Sequence, residues 1–223
     1  MTGAAPLIAV ADYGAGNLVS IDQALTTVGA RVVVARHATA LGDADGLLVP
    51  GVGAAAPAMA RLRAAGLVDP IRDWIAAGRP YLGVCLGLQL LFEGSDEDGA
   101  ETFGILPGRT VVLRDAPTLP HIGWNQVERT REHPLFDGIA DAADFYFVHS
   151  YAGEIARAAS DAVLATTSHG PAFVSAIARG PLLGVQFHPE RSGRDGLRLL
   201  RNFVSLVAAG SGTSPDPRAA VAS

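Results

Sequence analysis

Short continuous apolar runs closed by turn residues recur through the first part of the chain, at Leu7 to Ala11, Arg31 to Ala35, Gly46 to Val49 and Pro80 to Val84. Runs of this kind mark strands buried on both faces of a parallel sheet. Helical spacing appears between them: Leu18, Ile21, Leu25 and Val28 follow Asn17, a suitable N-cap, and precede Gly29, a suitable C′ glycine. Pro57 predicts the start of a helix carrying Met59, Leu62 and Leu67, and Asp69-Pro70 reads as N-cap and first helical residue ahead of Ile71, Trp74 and Ile75, with Gly78 as the stop. After the strand ending at Val84, a helix is predicted from about Leu86 to Phe92. From Thr110 onward β-type runs crowd together, at Thr110 to Leu113, Trp124 to Val127, Phe145 to Val148, Ala162 to Thr166 and Phe173 to Ala178. With little helical pattern between them, they predict antiparallel strands added to the parallel half. Leu182 to Phe187 is the last apolar run, and Gly196 to Val207 is predicted to close the fold as a helix. The pattern implies one α/β domain over residues 1–209, with a disordered tail of small and polar residues at 210–223.

Composition narrows the classes of function. A length of 223 residues with 49% hydrophobic content suits one sizeable core. Net charge is −5 and no block of lysine or arginine occurs, so the electrostatic footprint of nucleic-acid binding is missing. One cysteine excludes an intramolecular disulfide, and the residues before Leu7 lack the basic start of a signal peptide, so a cytoplasmic protein is expected. The uncharged run from Gly46 to Ala60 is interrupted by Pro50, Gly51, Gly53 and Pro57 and falls short of the roughly 20 residues a membrane helix needs.

That single cysteine sits in Gly83-Val84-Cys85-Leu86-Gly87, where an apolar strand runs out into a helix. This is the pattern of a nucleophile elbow with sulfur in place of oxygen: glycines permit the tight turn, and the helix start favours a thiolate and leaves the Leu86 amide free for an oxyanion. A buried structural cysteine is the competing reading. Gly14-Ala15-Gly16 invites a dinucleotide-binding reading, but Val19 stands where the third glycine should be. Pro50-Gly51-Val52-Gly53 reads as a turn able to leave amides unpaired, and the acidic stretch from Gly94 to Gly99 as a solvated loop. A cysteine nucleophile needs a base. His37, His133 and His169 lie in polar or turn-like sequence, whereas His188 ends an apolar run with Glu190 two residues on, where an extended chain projects both to one side. No histidine pair has metal-ligand spacing, and neither a metal nor a cofactor is expected.

The elbow, together with Gly184-Val185-Gln186-Phe187-His188-Pro189-Glu190, resembles the class I (triad) glutamine amidotransferase family. The resemblance extends from about Ile8 to Val207 and includes Asp12 to Asn17, Pro50 to Gly53, Pro120 to Asn125 and Phe145 to Tyr151. These stretches are similar to the branch that forms the glutaminase subunit of imidazole glycerol phosphate synthase. It implies a flavodoxin-like, three-layer fold with a central, mostly parallel sheet. It also implies Cys85 as nucleophile, His188 as general base and acid, Glu190 as orienting carboxylate, and an oxyanion hole from Gly51, Val52, Gly53 and Leu86. Gln89, His149, Ser150 and Tyr151 would line the glutamine pocket. Lacking a P-loop or a complete dinucleotide fingerprint, the chain has no evident acceptor site. The resemblance implies a heterodimer with a (β/α)8-barrel cyclase, HisF, contacted by Asn17, Pro120, His121, Ile122, Gly123, Trp124 and Arg191. The family more often has methionine at positions 88 and 122 and lysine at 191. Leu88 and Ile122 conserve volume, while Arg191 changes hydrogen-bond geometry.

Other outcomes fit parts of the pattern. The same glutaminase would be needed for another ammonia acceptor, such as a sugar amidination enzyme; a γ-glutamyl peptidase would act without a partner; and a redox sensor or chaperone would need neither the His188-Glu190 pair nor the oxyanion loop.

Overall fold

A computed structural model describes residues 4–154 and 160–210. Strands β1 (Leu7–Ala11), β2 (Arg31–Ala35), β3 (Gly46–Val49), β4 (Tyr81–Val84) and the later β12 (Leu182–Val185) pair in parallel in the order β2-β1-β3-β4-β12. Alternate residues of these strands feed two separate cores. Ile8, Val10, Leu48, Leu82 and Val84 pack under α1 (Leu18–Thr27) and α5 (Gly193–Gly210), while Ala9, Ala11, Leu47, Val49 and Tyr81 pack under α2 (Ala55–Ala64) and α3 (Val68–Ala76). This three-layer arrangement is why the strands read as unbroken apolar runs.

Beyond β12 the sheet continues antiparallel through β11 (Ala172–Arg179), β10 (Val163–Ser168), β7 (His121–Arg129) and β8 (Ala143–His149). Strands β5 (Gly94–Ser95), β6 (Arg109–Val112) and β9 (Tyr151–Gly153) form a side branch attached at β11.

Several element boundaries differ from expectation. Helix α2 starts at Ala55 and α3 at Val68, so Pro57 and Pro70 lie within first turns rather than opening them, and Asp69 is not the cap. Proline is tolerated there because the first amides of a helix have no intrahelical acceptor. Leu67, assigned to the earlier helix, is a buried residue between the two. The helix after the elbow, α4 (Leu86–Gln89), is a single turn. Leu91 and Phe92 bond three residues back rather than four, while the carbonyls of Leu90, Leu91 and Phe92 accept from residues 103–106. Asn17 caps α1 as predicted, its side chain accepting from the Ser20 amide at 3.2 Å. Helix α5 begins three residues before Gly196 and includes Gly210, so Gly210 is no part of a tail; residues 211–223 lie outside the described residues.

Candidate active site

Four loops meet at the carboxyl ends of the parallel strands, where α/β sheets gather their ligands. Strand order reverses between β1 and β3, and the loops after these strands touch: the Tyr13 hydroxyl donates to the Pro50 carbonyl at 2.6 Å. Gly51 must be glycine, because a Cβ there would lie 2.3 Å from the Tyr13 hydroxyl and 2.8 Å from Cβ of Leu86. The loop carrying Gly51, Val52 and Gly53 is thereby pressed against the start of α4.

Cys85 follows β4 directly and is the turn itself, with φ 54° and ψ −108°. This left-handed conformation is disfavoured for a residue with a side chain and marks a strained nucleophile elbow. Both flanking glycines are required by contact. A Cβ on Gly87 would stand 1.8 Å from the Val49 carbonyl oxygen, and one on Gly83 2.5 Å from that of Gly87. The Leu86 amide, at the start of α4, donates to no acceptor among the described residues, and the same holds for Gly51 and Val52. These are the donors an oxyanion between the two segments would use.

His188 comes from the adjacent strand. Val84 and Val185 are in register, so Cys85 and the segment after Val185 leave the sheet side by side. The His188 amide donates to the Tyr146 carbonyl at 2.9 Å and its carbonyl accepts from the Ser192 hydroxyl at 2.7 Å, fixing the loop. Its Nδ1 meets Oε1 of Glu190 at 2.9 Å, with both side chains almost fully buried. That contact assigns the proton to Nδ1, while Nε2 has no hydrogen-bond partner and is left for the nucleophile. Burial opposes the imidazolium, but attraction to a Cys85 thiolate and the Glu190 carboxylate outweighs it and pushes His188 up to about 10. Sulfur attacks as the thiolate, and the imidazole beside it is the group placed to hold the proton.

The predicted pocket residues gather on one carbonyl. Gln89 Nε2 and His149 Nδ1 both donate to the Tyr151 carbonyl, at 2.7 and 2.9 Å. Ser150 is not brought to that carbonyl; its own carbonyl accepts from the Leu113 amide at 3.0 Å. Of the predicted interface residues, Asn17, Pro120, Ile122, Trp124 and Arg191 are exposed and Gly123 is half-buried. His121 is different: its side chain points inward from β7 and is buried, so it is not a surface residue of this chain. The Arg191 guanidinium lies 4.1 Å from the centre of the Tyr146 ring, and Trp124 meets the same ring edge to face, joining two of the predicted segments in one rim.

Three features were not read from the sequence. Buried His121 and His149 and half-buried His169 form a cluster, with the His121 and His169 rings stacked 4.0 Å apart. Strand pairing makes it, since His121 and His149 are register partners on β7 and β8. Gln186, part of the elbow-partner motif, is wholly buried and donates from Nε2 to the Cys85 sulfur at 3.6 Å. The acidic loop is exposed from Asp96 to Gly99, as expected, but it is also tied down: Asp98 accepts from the Ala56 amide at the start of α2, and Asp96 pairs with Arg109.

The cavity beside the catalytic pair is small, about 70 Å³, and is lined by Asn17, Pro50, Val52, Val148, His188 and Arg191. A much larger one of about 760 Å³, between Ala44, Arg79, Pro80 and Pro181, opens at the opposite end of the parallel strands and holds none of the predicted residues. Among the described residues no cluster of histidine, cysteine, aspartate and glutamate could hold a metal ion, and no helix is long and apolar enough to cross a membrane.

Comparison with known proteins adds an independent line. The model of the glutamine amidotransferase class-I family matches residues 9–206. The chain is 46% identical over 210 residues to the imidazole glycerol phosphate synthase subunit HisH of Symbiobacterium thermophilum, covering 94% of this chain and 98% of that one. It is 47% identical over 198 residues to the subunit of the same name from Mycobacterium leprae, covering 88% and 96%. Among solved structures it resembles a glutamine amidotransferase with a TM-score of 0.70 and 21% identity, covering 90% of this chain and 98% of the other, a likeness of fold.

Proposed function

The chain belongs to the class-I glutamine amidotransferase family, and from that premise we propose that it is the glutaminase subunit of imidazole glycerol phosphate synthase, releasing ammonia for a second protein to use. One observation carries the chemistry: a strained Cys85 between unpaired amides, beside an imidazole whose far nitrogen is held by Glu190 at 2.9 Å. The thiolate of Cys85 attacks the side-chain amide carbon of glutamine. The Leu86 amide and one from Gly51 to Gly53 hold the oxyanion, and loss of such a donor costs about 3 kcal/mol in the barrier. His188 gives its Nε2 proton to the leaving nitrogen, and ammonia departs from a glutamyl thioester. The same Nε2 then takes a proton from water, whose oxygen attacks the thioester; glutamate leaves and the thiol is restored.

The acceptor is a (β/α)8-barrel cyclase, HisF, in a heterodimer within the cytoplasm, where it turns ammonia and a phosphoribulosyl substrate into imidazole glycerol phosphate and aminoimidazole carboxamide ribotide. High identity to two HisH subunits over nearly their whole length supports this acceptor over a sugar amidination enzyme. The docking face is the rim of Asn17, Val52, Ile122, Trp124 and Arg191. Val52, Ile122 and Trp124 are each about half exposed or more, unusual for apolar side chains on one rim. Glutaminase activity stays low until the partner docks, a reading supported by the loop from Gly51 to Gly53, whose glycines permit a peptide flip that would re-aim its amides.

The test is glutamate release from glutamine, measured on the chain alone and with a cyclase and its nucleotide ligand. Turnover should rise strongly in the complex and vanish in Cys85→Ala. Undiminished turnover by Cys85→Ala would remove the enzymatic reading, and equal turnover with and without the cyclase would remove the dependence on a partner.

A further inference from the structure

The chemistry of the triad and the oxyanion hole leaves one buried polar group beside the nucleophile unused, the side-chain amide of Gln186. It is wholly inaccessible to solvent. An amide buried without partners is costly, so where its two ends point is informative. Its Oε1 lies 3.0 Å from Nε2 of Gln89, and its Nε2 lies 3.6 Å from the sulfur of Cys85.

The direction of these contacts is forced by their neighbours. Gln89 faces the Tyr151 carbonyl, an acceptor, at 2.7 Å, so the Gln89 atom there is its nitrogen. The second hydrogen on that nitrogen then requires an acceptor, and the Gln186 atom facing it is oxygen. The remaining end of Gln186 is therefore an N–H group aimed at the sulfur. A longer run of polar groups has the same logic. His149 donates from Nδ1 to the Tyr151 carbonyl, leaving Nε2 as an acceptor for His121 Nδ1 at 3.1 Å. His121 Nε2 in turn accepts from Asn125 Nδ2 at 3.1 Å, and Asn125 is oriented by the Ser168 carbonyl. Every group from β7 to the sulfur thus has one orientation.

We infer that Gln186 is a positioning residue: its N–H holds the sulfur of Cys85 in the thiolate form while its carbonyl fixes Gln89 over the pocket floor. The backbone reinforces this, since the Cys85 amide donates to the Val185 carbonyl at 2.8 Å and the Gln186 amide donates to the Ser175 carbonyl at 2.9 Å, so neither side chain can drift from the other. Sulfur accepts a hydrogen bond far better as thiolate than as thiol, so the contact favours the charged form. The rate consequence rests on the glutaminase reading; the effect on the thiol does not.

Because Cys85 is the only cysteine, thiolate formation can be followed in the full-length chain by its ultraviolet absorbance, with Cys85→Ala as the blank. Gln186→Met keeps volume and removes the amide; Gln186→Asn keeps an amide one methylene too short to reach. Each should raise the midpoint of thiolate formation by about 1 pH unit, the size expected of one hydrogen bond to a charged atom. Each should also lower kcat in the cyclase complex by about tenfold at neutral pH, while the circular dichroism spectrum stays that of the parent. If one variant fails to fold, the other decides the question. A parental midpoint in a folded variant overturns the inference. A shifted midpoint in a chain that releases no ammonia with any cyclase supports the positioning role and refutes the glutaminase reading instead.

Discussion

A buried imidazole and a buried imidazole pair lie in the same molecule and are shifted in opposite directions. At the end of the parallel sheet, His188 is pushed up to about 10; in the antiparallel extension, burial brings His121 down to about 4 and His149 down to about 3. Desolvation opposes charge in both places. What differs is the company: His188 has the Glu190 carboxylate on one nitrogen and the Cys85 sulfur beside it, whereas His121 and His149 meet the Asn125 amide, the Tyr151 carbonyl, each other and the imidazole of His169. Burial sets the cost of a charge, and only a charged partner offsets it.

The largest break in this comparison should come from Glu190→Gln. With the carboxylate gone, Nδ1 of His188 loses its charged acceptor and the imidazole can take the wrong tautomer, so kcat/KM in the complex should fall by about 10³- to 10⁴-fold. The chemical shift of the His188 ring should titrate at much lower pH than in the parent. Unchanged kinetics would mean that Glu190 does not orient the base.

Acid should separate the two groups next. Below about 6.5, the ordinary value, the unfolded chain binds protons that folded His121 and His149 refuse, so stability falls as pH drops from about 6.5 toward 3. His188 has the opposite sign: its contribution is complete below about 6.5 and is lost as pH rises toward 10. Urea midpoints measured across this range should fall at both ends. Changing His121 and His149 together to Phe should flatten the acid side and leave the alkaline side in place; a parental acid slope would contradict the assignment.

Smaller effects come from opening the neutral chain at single points. His149→Phe leaves the His121 N–H without an acceptor, at a cost of about 1–3 kcal/mol in urea unfolding, while Asn125→Leu removes contacts to His121, Ser168 and the Gln126 amide that lie nearer solvent and should cost about 1 kcal/mol. A larger loss from Asn125→Leu than from His149→Phe would reverse the expected order.

The parallel half was legible in the sequence because its inner strands are buried on both faces, so Leu7 to Ala11 and Gly46 to Val49 announce themselves without context, and even the half-exposed edge strand β2 is an apolar run. The elbow and the His188-Glu190 pair were legible too, since their chemistry is local: glycines two residues from Cys85, a carboxylate two residues from His188. The neutral cluster was not. The β-type run in the sequence begins at Trp124, yet β7 begins at His121, spanning Gly123, a poor strand former, and its pairing with β8 brings His121 to His149. Gln186 was read as part of a motif without a role, for its partners Cys85 and Gln89 belong to a distant stretch and only the register of β4 with β12 unites them. Misplaced helix starts at Ala55 and Val68 have a simpler cause: proline fits any position of a first turn and so does not say which.

The left-handed backbone at Cys85 has a consequence for the molecule's history. A glycine at position 85 would hold φ 54° without strain, and relief of such strain is worth about 1 kcal/mol or more. The fold would therefore be sturdier with its chemistry deleted. Mutational drift that rewarded endurance alone would favour Cys85→Gly, so a heat-selected library of this chain should be enriched in that change at the expense of the proposed nucleophile.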